Sequence, residues 1–283
     1  MGDTAKNIVW LASYPKSGNT WIRILLSNYL NPSVSGININ EIDSSIISSS
    51  RTILDNYLPY LSSDLSFEEI DNIRPLLYQE ISKETEELQY IKTHDAFTLN
   101  KNKEAIFPPA ISKAVIHIVR NPLDVAVSFA YHSDISIDKS IEALNNSDKC
   151  LAKNKNALNK QLRQKLLSWS EHYRSWKNAD LPYHLVKYED LLNHPESTFE
   201  KLILFLYGQA DKEQIKKAVK LSSFEKLKKQ EHQTPFREKP LNAKTFFRRG
   251  KSNSWEKEMT TKQVEKIINS NHELMKILEY LNN

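Results

Sequence analysis

Apolar residues along this chain follow two rhythms, the unbroken run and the helical repeat, and the changes between them mark its elements. Ile8-Val9-Trp10-Leu11-Ala12 is too short for a helix and rich in branched and aromatic residues, so it reads as a strand buried on both faces, as in a parallel sheet. Pro15 and Gly18 break it. Ile22, Leu25, Leu26 and Tyr29 then recur at helical spacing, with Asn19 as the N-cap. The same order returns later: Ala114 to Val119 reads as a strand, Arg120-Asn121-Pro122 ends it, and Val125, Val127, Phe129 and Tyr131 with small Ala126, Ser128 and Ala130 predict a helix with a tightly packed face.

Leu88 to Thr93 and Tyr183 to Tyr188 supply two more strands. Ser66 to Glu87 reads as a helix opened by a Ser66/Glu69 capping box, which Pro75 is expected to kink or divide. Further helices are expected over Leu167 to Trp176, between Pro195 and Gly208, through the Lys-rich stretch to Gln230, and from Thr261 to Leu281. Three stretches keep neither rhythm. Asn31 to Arg51 reads as a mobile loop, Lys139 to Leu167 as exposed helices or a lid, and Glu231 to Trp255 as the longest irregular segment, a kind that is commonly functional. With no repeat and no linker, one α/β domain over residues 1–283 is expected, built on a parallel sheet flanked by helices.

Composition narrows the function. The 283 residues, 40% hydrophobic, suffice for a sizeable core, and 39 basic against 35 acidic residues leave a net charge of +4 spread along the chain. That balance suits a small anionic ligand better than a nucleic acid, and the polar run from Asn145 to Gln164 lacks the aromatic residues a single strand would stack on. Cys150 is the one cysteine, so no internal disulfide forms, no Cys/His cluster has zinc spacing, and the cytoplasm is the natural compartment. No signal peptide is read, because Tyr14-Pro15-Lys16 interrupts the first apolar stretch; Leu202 to Tyr207 is far too short to span a membrane. Met1-Gly2 does not signal acylation, since Lys6 stands where Ser or Thr is required.

The strand-to-helix turn Ser13-Tyr14-Pro15-Lys16-Ser17-Gly18-Asn19-Thr20-Trp21 is the first candidate site. Its helix begins with backbone N–H groups lacking internal partners and a partial positive charge, and Lys16, Ser17 and Thr20 add donors. This is a cradle for phosphate or sulfate. It is not the G-x-x-x-x-G-K-[ST] loop of ATPases, because the lysine precedes the glycine. It closely resembles the nucleotide-binding loop of sulfotransferases that use 3′-phosphoadenosine 5′-phosphosulfate, Y-P-K-S-G-T-T-W, with Asn19 replacing the first threonine.

Five later segments carry the same resemblance. Arg120 to Ser128 is similar to the family's 3′-phosphate motif, with Arg120 and Ser128 in the arginine and serine positions. Lys92-Thr93-His94 matches the K-T-H string of the cytosolic-type enzymes, whose histidine takes the acceptor proton; His132 is a weaker alternative base. Phe246-Phe247-Arg248-Arg249-Gly250 resembles F-x-R-K-G, but Asn253 or a neighbouring serine stands at the next glycine and Glu256 follows Trp255. Ser222-Ser223-Phe224-Glu225 and Tyr188-Glu189-Asp190 resemble the T-S-F-E and Y-E-D segments, and Trp21 offers the adenine an aromatic face.

The resemblance implies a P-loop-like fold and transfer of the sulfuryl group to a hydroxyl or amine of a small-molecule acceptor, without a metal. In that reading His94 is the base and Lys16 stabilises the leaving group. Lys16, Ser17, Gly18, Asn19, Thr20, Trp21, Arg120, Ser128, Tyr188, Ser222, Phe224, Arg248, Arg249 and Gly250 hold the nucleotide, and Lys92, Thr93 and His94 meet the acceptor. Two other classes stay open, a P-loop-type kinase using ATP and a catalytically silent nucleotide-binding module. A homodimer also stays open, because the family's dimerisation string is half present: Lys257 and Thr261 match it, Lys262 and Lys266 do not.

Overall fold

Six apolar or small residues in a row leave no face for water, and the first strand, β1 (Ile8–Ser13), is buried at every position. A computed structural model of the chain describes residues 6–33, 35–42, 45–154, 159–240 and 243–281. Met1 and Gly2 lie outside these, as do residues 155–158 of the polar run. After β1 come α1 (Asn19–Leu30), β2 (Ser45–Ile47), α2 (Arg51–Tyr57), α3 (Phe67–Lys83), β3 (Gln89–Thr93), β4 (Ser112–Val119), α4 (Pro122–Ser133) and α5 (Ile137–Leu144). The chain continues through β5 (Cys150–Leu151), β6 (Gln164–Lys165), α6 (Trp169–Lys177), β7 (Tyr183–Lys187), α7 (Tyr188–Asn193), α8 (Pro195–Tyr207), α9 (Lys212–Leu221), α10 (Phe224–Gln233) and α11 (Thr261–Ile277).

Among the described residues the main sheet has the strand order β2-β3-β1-β4-β7, and β3 pairs in parallel with both β1 and β2. The expected α/β class with a parallel sheet is therefore what the chain adopts. The order reverses at β1, with β3 on one side and β4 on the other, which is where open α/β sheets bind ligands.

Several local expectations change. Gly18, not Asn19, is the N-cap of α1; it sits in the left-handed region at φ 105°, which a glycine enters without steric cost. The stretch Asn31 to Arg51 contains β2, too short and Ser-rich to show a period. Among the described residues between Lys139 and Leu167 there is one helix, α5, followed by the antiparallel pair of β5 and β6 in place of exposed helices. Pro75 does not divide α3, which runs from Phe67 to Lys83 behind the expected Ser66/Glu69 capping box. Ile70 and Arg74 before the proline and Leu77, Tyr78 and Ile81 after it are all buried, so both halves are held to one surface.

The chain divides into two compact units. The first comprises Met1–Tyr14, Ser45–His117 and Ser147–His184. Its core joins Trp10 of β1, Tyr78 of α3, Phe107 and Trp176 of α6, with Trp10 edge-on to Tyr78 at 5.1 Å and to Phe107 at 4.8 Å. Under this core lies a buried ion network. Arg74, fully enclosed, donates to both oxygens of Asp95 at 3.2 and 2.7 Å, and Arg163 and Lys165 reach Asp71 one helical turn away. The second unit comprises Pro15–Ser44, Ile118–Asn146 and Leu185–Asn283. Its core gathers Ile24 of α1, Leu227 of α10, Phe236 and Phe247, with Trp21, Phe224 and Phe246 packed against it.

Removing one member of a buried ion pair leaves its partner charged in a dry site. Arg74→Ala should therefore lower the unfolding free energy by about 3–5 kcal/mol, read as a shift of the urea midpoint.

Candidate functional site

The second unit assembles the anion cradle from three directions. From Pro15 the backbone turns through Lys16 at φ 72° and Gly18 at φ 105°, two left-handed residues; left-handed residues in such a turn are the backbone pattern of anion-binding nests. A left-handed conformation costs a lysine about 1–2 kcal/mol, strain of the kind that collects at functional turns. No acidic residue stands in the first turn of α1 and no side chain caps it. Ser17, Asn19 and Thr20 are buried in this turn, and Ser17 Oγ has no hydrogen-bond partner among the described residues. A β-carbon on Gly18 would stand 2.8 Å from the Tyr188 ring, so the glycine is needed for close approach as well as for its φ.

Arg120 ties the second direction to the first. Its guanidinium donates to the Lys16 carbonyl at 3.3 Å and to the Lys251 carbonyl at 3.0 Å, and lies 4.3 Å above the Tyr188 ring. Its Nε is buried without a partner among the described residues. Arg120 does not pair with Asp124. The Asp124 carboxylate instead accepts the N–H groups of Asn253, Ser254 and Trp255, fixing the start of a 3₁₀ turn over Ser254–Lys257. Asn253, where the family pattern has glycine, sits at φ 57°, a conformation that asparagine tolerates best after glycine. Ser128, half-buried on α4, shares a helix face with Asp124 and Tyr131 at i, i+4 and i+7.

The third direction is the segment before Gly250. A β-carbon on Gly250 would meet the Phe224 ring at 2.3 Å, which presses this turn against α10. Arg248 lies 3.9 Å over the Tyr131 ring, and Arg248 and Arg249 both pair with Glu258. The Lys16 ammonium donates to His132 Nδ1 at 3.2 Å and stands 4.5 Å over the Phe246 ring. Trp21 donates its indole N–H to the Ser222 carbonyl at 3.0 Å and meets Tyr188 edge-on at 5.7 Å. The Ser222 hydroxyl accepts from Asn28 and Ser222 is fully buried, so it shapes the wall from behind. The unit thus brings together a loop nest, three arginines and an aromatic wall. His132, Phe246 and Glu258 had no sequence signal for these roles.

The first unit holds Lys92, Thr93 and His94 at the end of β3. Lys92 and Thr93 are buried, and the Thr93 hydroxyl accepts the Asp95 N–H at 3.1 Å, turning the chain so that His94 leaves the strand. His94 Nδ1 lies 2.8 Å from the Ser13 carbonyl oxygen, which can only accept. Nδ1 therefore carries a hydrogen, which in the neutral ring leaves the lone pair on Nε2, the tautomer a base requires. Behind it, His172 donates to the His94 carbonyl at 3.2 Å and Trp176 to the Asp95 carbonyl at 2.9 Å, pinning the peptide on both sides.

Against this geometry stand the known proteins. A family model described as a sulfotransferase domain matches residues 6–279. Sulfotransferase 1B1 of Mus musculus is 26% identical over 273 residues, 90% of this chain and 78% of that protein. Flavonol 3-sulfotransferase of Flaveria bidentis is 28% identical over 279 residues, 92% of this chain and 79% of its own length. Among solved structures, mouse sulfotransferase SULT7A1 complexed with PAP is similar with a TM-score of 0.60 at 20% identity, covering 96% of this chain and 86% of that one. Retinol dehydratase in complex with androsterone and PAP is similar with a TM-score of 0.63 at 20% identity, covering 96% and 81%.

Burial pushes the His172 imidazole down to about 4, and lowers His117 beside it further from its usual value. Its folded value lies below the usual one of about 6.5, so the unfolded chain takes up the proton first as pH falls. The stability present above pH 6.5 is then lost on the way down to about pH 4, about 3 kcal/mol for His172 alone. Urea midpoints should fall between pH 7 and pH 4.5, and by less in His172→Gln, which keeps the donor without titrating.

Proposed function

Since the chain belongs to the sulfotransferase family, we infer that it transfers the sulfuryl group of 3′-phosphoadenosine 5′-phosphosulfate to a hydroxyl or amine of a small-molecule acceptor. The observation that carries the nucleotide half is Arg120, buried on Tyr188, spanning the Lys16 and Lys251 carbonyls, with an Nε that has no partner among the described residues. With the unpaired Ser17 hydroxyl and the N–H nest, this donor set fits a doubly phosphorylated adenosine. The alternative of an ATP-using kinase is not favoured.

Each residue then has a physical task. Lys16 and the N–H groups of the loop stabilise charge that builds on the leaving phosphate, as fixed donors do in phosphoryl transfer. Arg120 and Ser128 select the 3′-phosphate, which ATP lacks. Trp21, Tyr188 and Phe224 form the apolar side of the base pocket, and Arg248, Arg249 and Gly250 close on phosphate oxygens. His94, with Nε2 unprotonated, takes the acceptor proton. Lys92 and Thr93 meet the acceptor beside it.

The acceptor class rests on relatives: the androsterone in the retinol dehydratase complex and the flavonol of the plant enzyme are small alcohols and phenols. We read residues 1–283 as one sulfotransferase domain acting in the cytoplasm. Among the described residues no helix is long and apolar enough to cross a membrane. A homodimer is part of the same reading on the partial string from Lys257 to Thr261.

Transfer from labelled donor to a panel of phenols, steroid-like alcohols, sugars and amines identifies the acceptor. With it, His94→Ala should lower kcat by about 100-fold or more while the Kd for adenosine 3′,5′-bisphosphate stays within threefold. Arg120→Ala should weaken that Kd by about 10–100-fold. Unchanged turnover in the first variant, or unchanged affinity in the second, contradicts the corresponding role.

A further inference from the structure

Glu258 holds a place that a ligand phosphate would compete for. It caps the 3₁₀ turn anchored by Asp124, and its carboxylate is largely buried. Both oxygens face cations: Arg248 donates to them at 3.3 and 3.2 Å, and Arg249 reaches Oε1 at 2.7 Å. The Tyr131 hydroxyl is a further donor, on the ring that also carries the Arg248 guanidinium 3.9 Å above it. Two guanidiniums and a phenol converging on one carboxylate form the donor set of an oxyanion site, satisfied from within the chain.

Burial by itself would raise the Glu258 pKa, but the hydrogen bonds from Arg248 and Tyr131 and the charges of both arginines hold it below the usual range, so the group is ionised at neutral pH. The segment that carries the arginines is tied to Arg120 through the Lys251 carbonyl at 3.0 Å. The phosphate that Arg120 selects is accordingly the one for which Arg248 and Arg249 must leave Glu258.

We propose that Glu258 is an internal competitor of the nucleotide, an anion that a dianionic 3′-phosphate displaces from Arg248 and Arg249. A monoanion would exchange one single charge for another and gain little; a dianion gains a second attraction across both guanidiniums. Glu258 thereby lowers affinity for every nucleotide that places a phosphate on these arginines. This rests on the reading that the two arginines bind the nucleotide.

Calorimetric titration of the intact protein with adenosine 3′,5′-bisphosphate and with adenosine 5′-monophosphate separates the two claims. Glu258→Gln and Glu258→Ala should each bind the bisphosphate about 3–10-fold tighter, with the gain shrinking at high salt and the monophosphate unchanged. Arg248→Ala should bind the bisphosphate more weakly than wild type. Weaker binding in Arg248→Ala together with unchanged or weakened binding in both folded Glu258 variants overturns the role of Glu258 and leaves the arginine reading standing. Unchanged binding in Arg248→Ala overturns the arginine reading and, with it, the proposal.

Discussion

The second unit depends on one guanidinium. Arg120 follows β4 with five donors in a plane and places one on each of two backbone carbonyls, Lys16 in the loop after β1 and Lys251 after the Arg-Arg-Gly turn. Its face lies on Tyr188, which also fills the space that Gly18 leaves open and meets the edge of Trp21. Loop, turn and aromatic wall therefore share one cation as their common neighbour. A lysine could satisfy neither the fork geometry nor the stacking, which ties the position to arginine on physical grounds.

Around that centre the unit manages an excess of positive charge in a confined space. Lys16, Arg248 and Arg249 each have a local partner: an imidazole and a ring for the lysine, a shared carboxylate for the arginines. Such partners keep like charges from repelling one another and hold long side chains in few rotamers, which reduces the entropy lost on ligand binding. The first unit solves a different problem, presenting one histidine with a defined tautomer. It does so with the Ser13 carbonyl on Nδ1 and with His172, Trp176 and Asp95 fixing the adjacent peptides.

Much of this was legible in the sequence because the signals were local. The run from Ile8, the Ser66/Glu69 box, and the Pro195 and Gly208 brackets each carry their own stereochemistry, and the elements follow them. The loop motif and Arg120 were visible for the same reason. What escaped notice depended on distant partners: β2 becomes a strand only by pairing with β3, and β5 and β6 only with each other. Pro75 looked like a breaker until the buried residues on both sides of it were seen to hold α3 to one surface. Asp124 carried no signal of its own, and its oxygens cap a turn about 130 residues on. Asn253 departs from the glycine pattern, and its φ of 57° lies in the left-handed region that glycine favours.

The central claim is that this sulfotransferase recognises its nucleotide through a second phosphate, the one proposed for Arg120. Thermal denaturation with equal concentrations of adenosine 3′,5′-bisphosphate, adenosine 5′-monophosphate and ATP with Mg²⁺ tests it most directly. A bound ligand at 100 times its Kd adds about 2.7 kcal/mol, so the bisphosphate should raise Tm by several degrees while the other two leave it nearly unchanged. An equal shift by the monophosphate, or a shift by ATP with Mg²⁺ alone, would contradict the account.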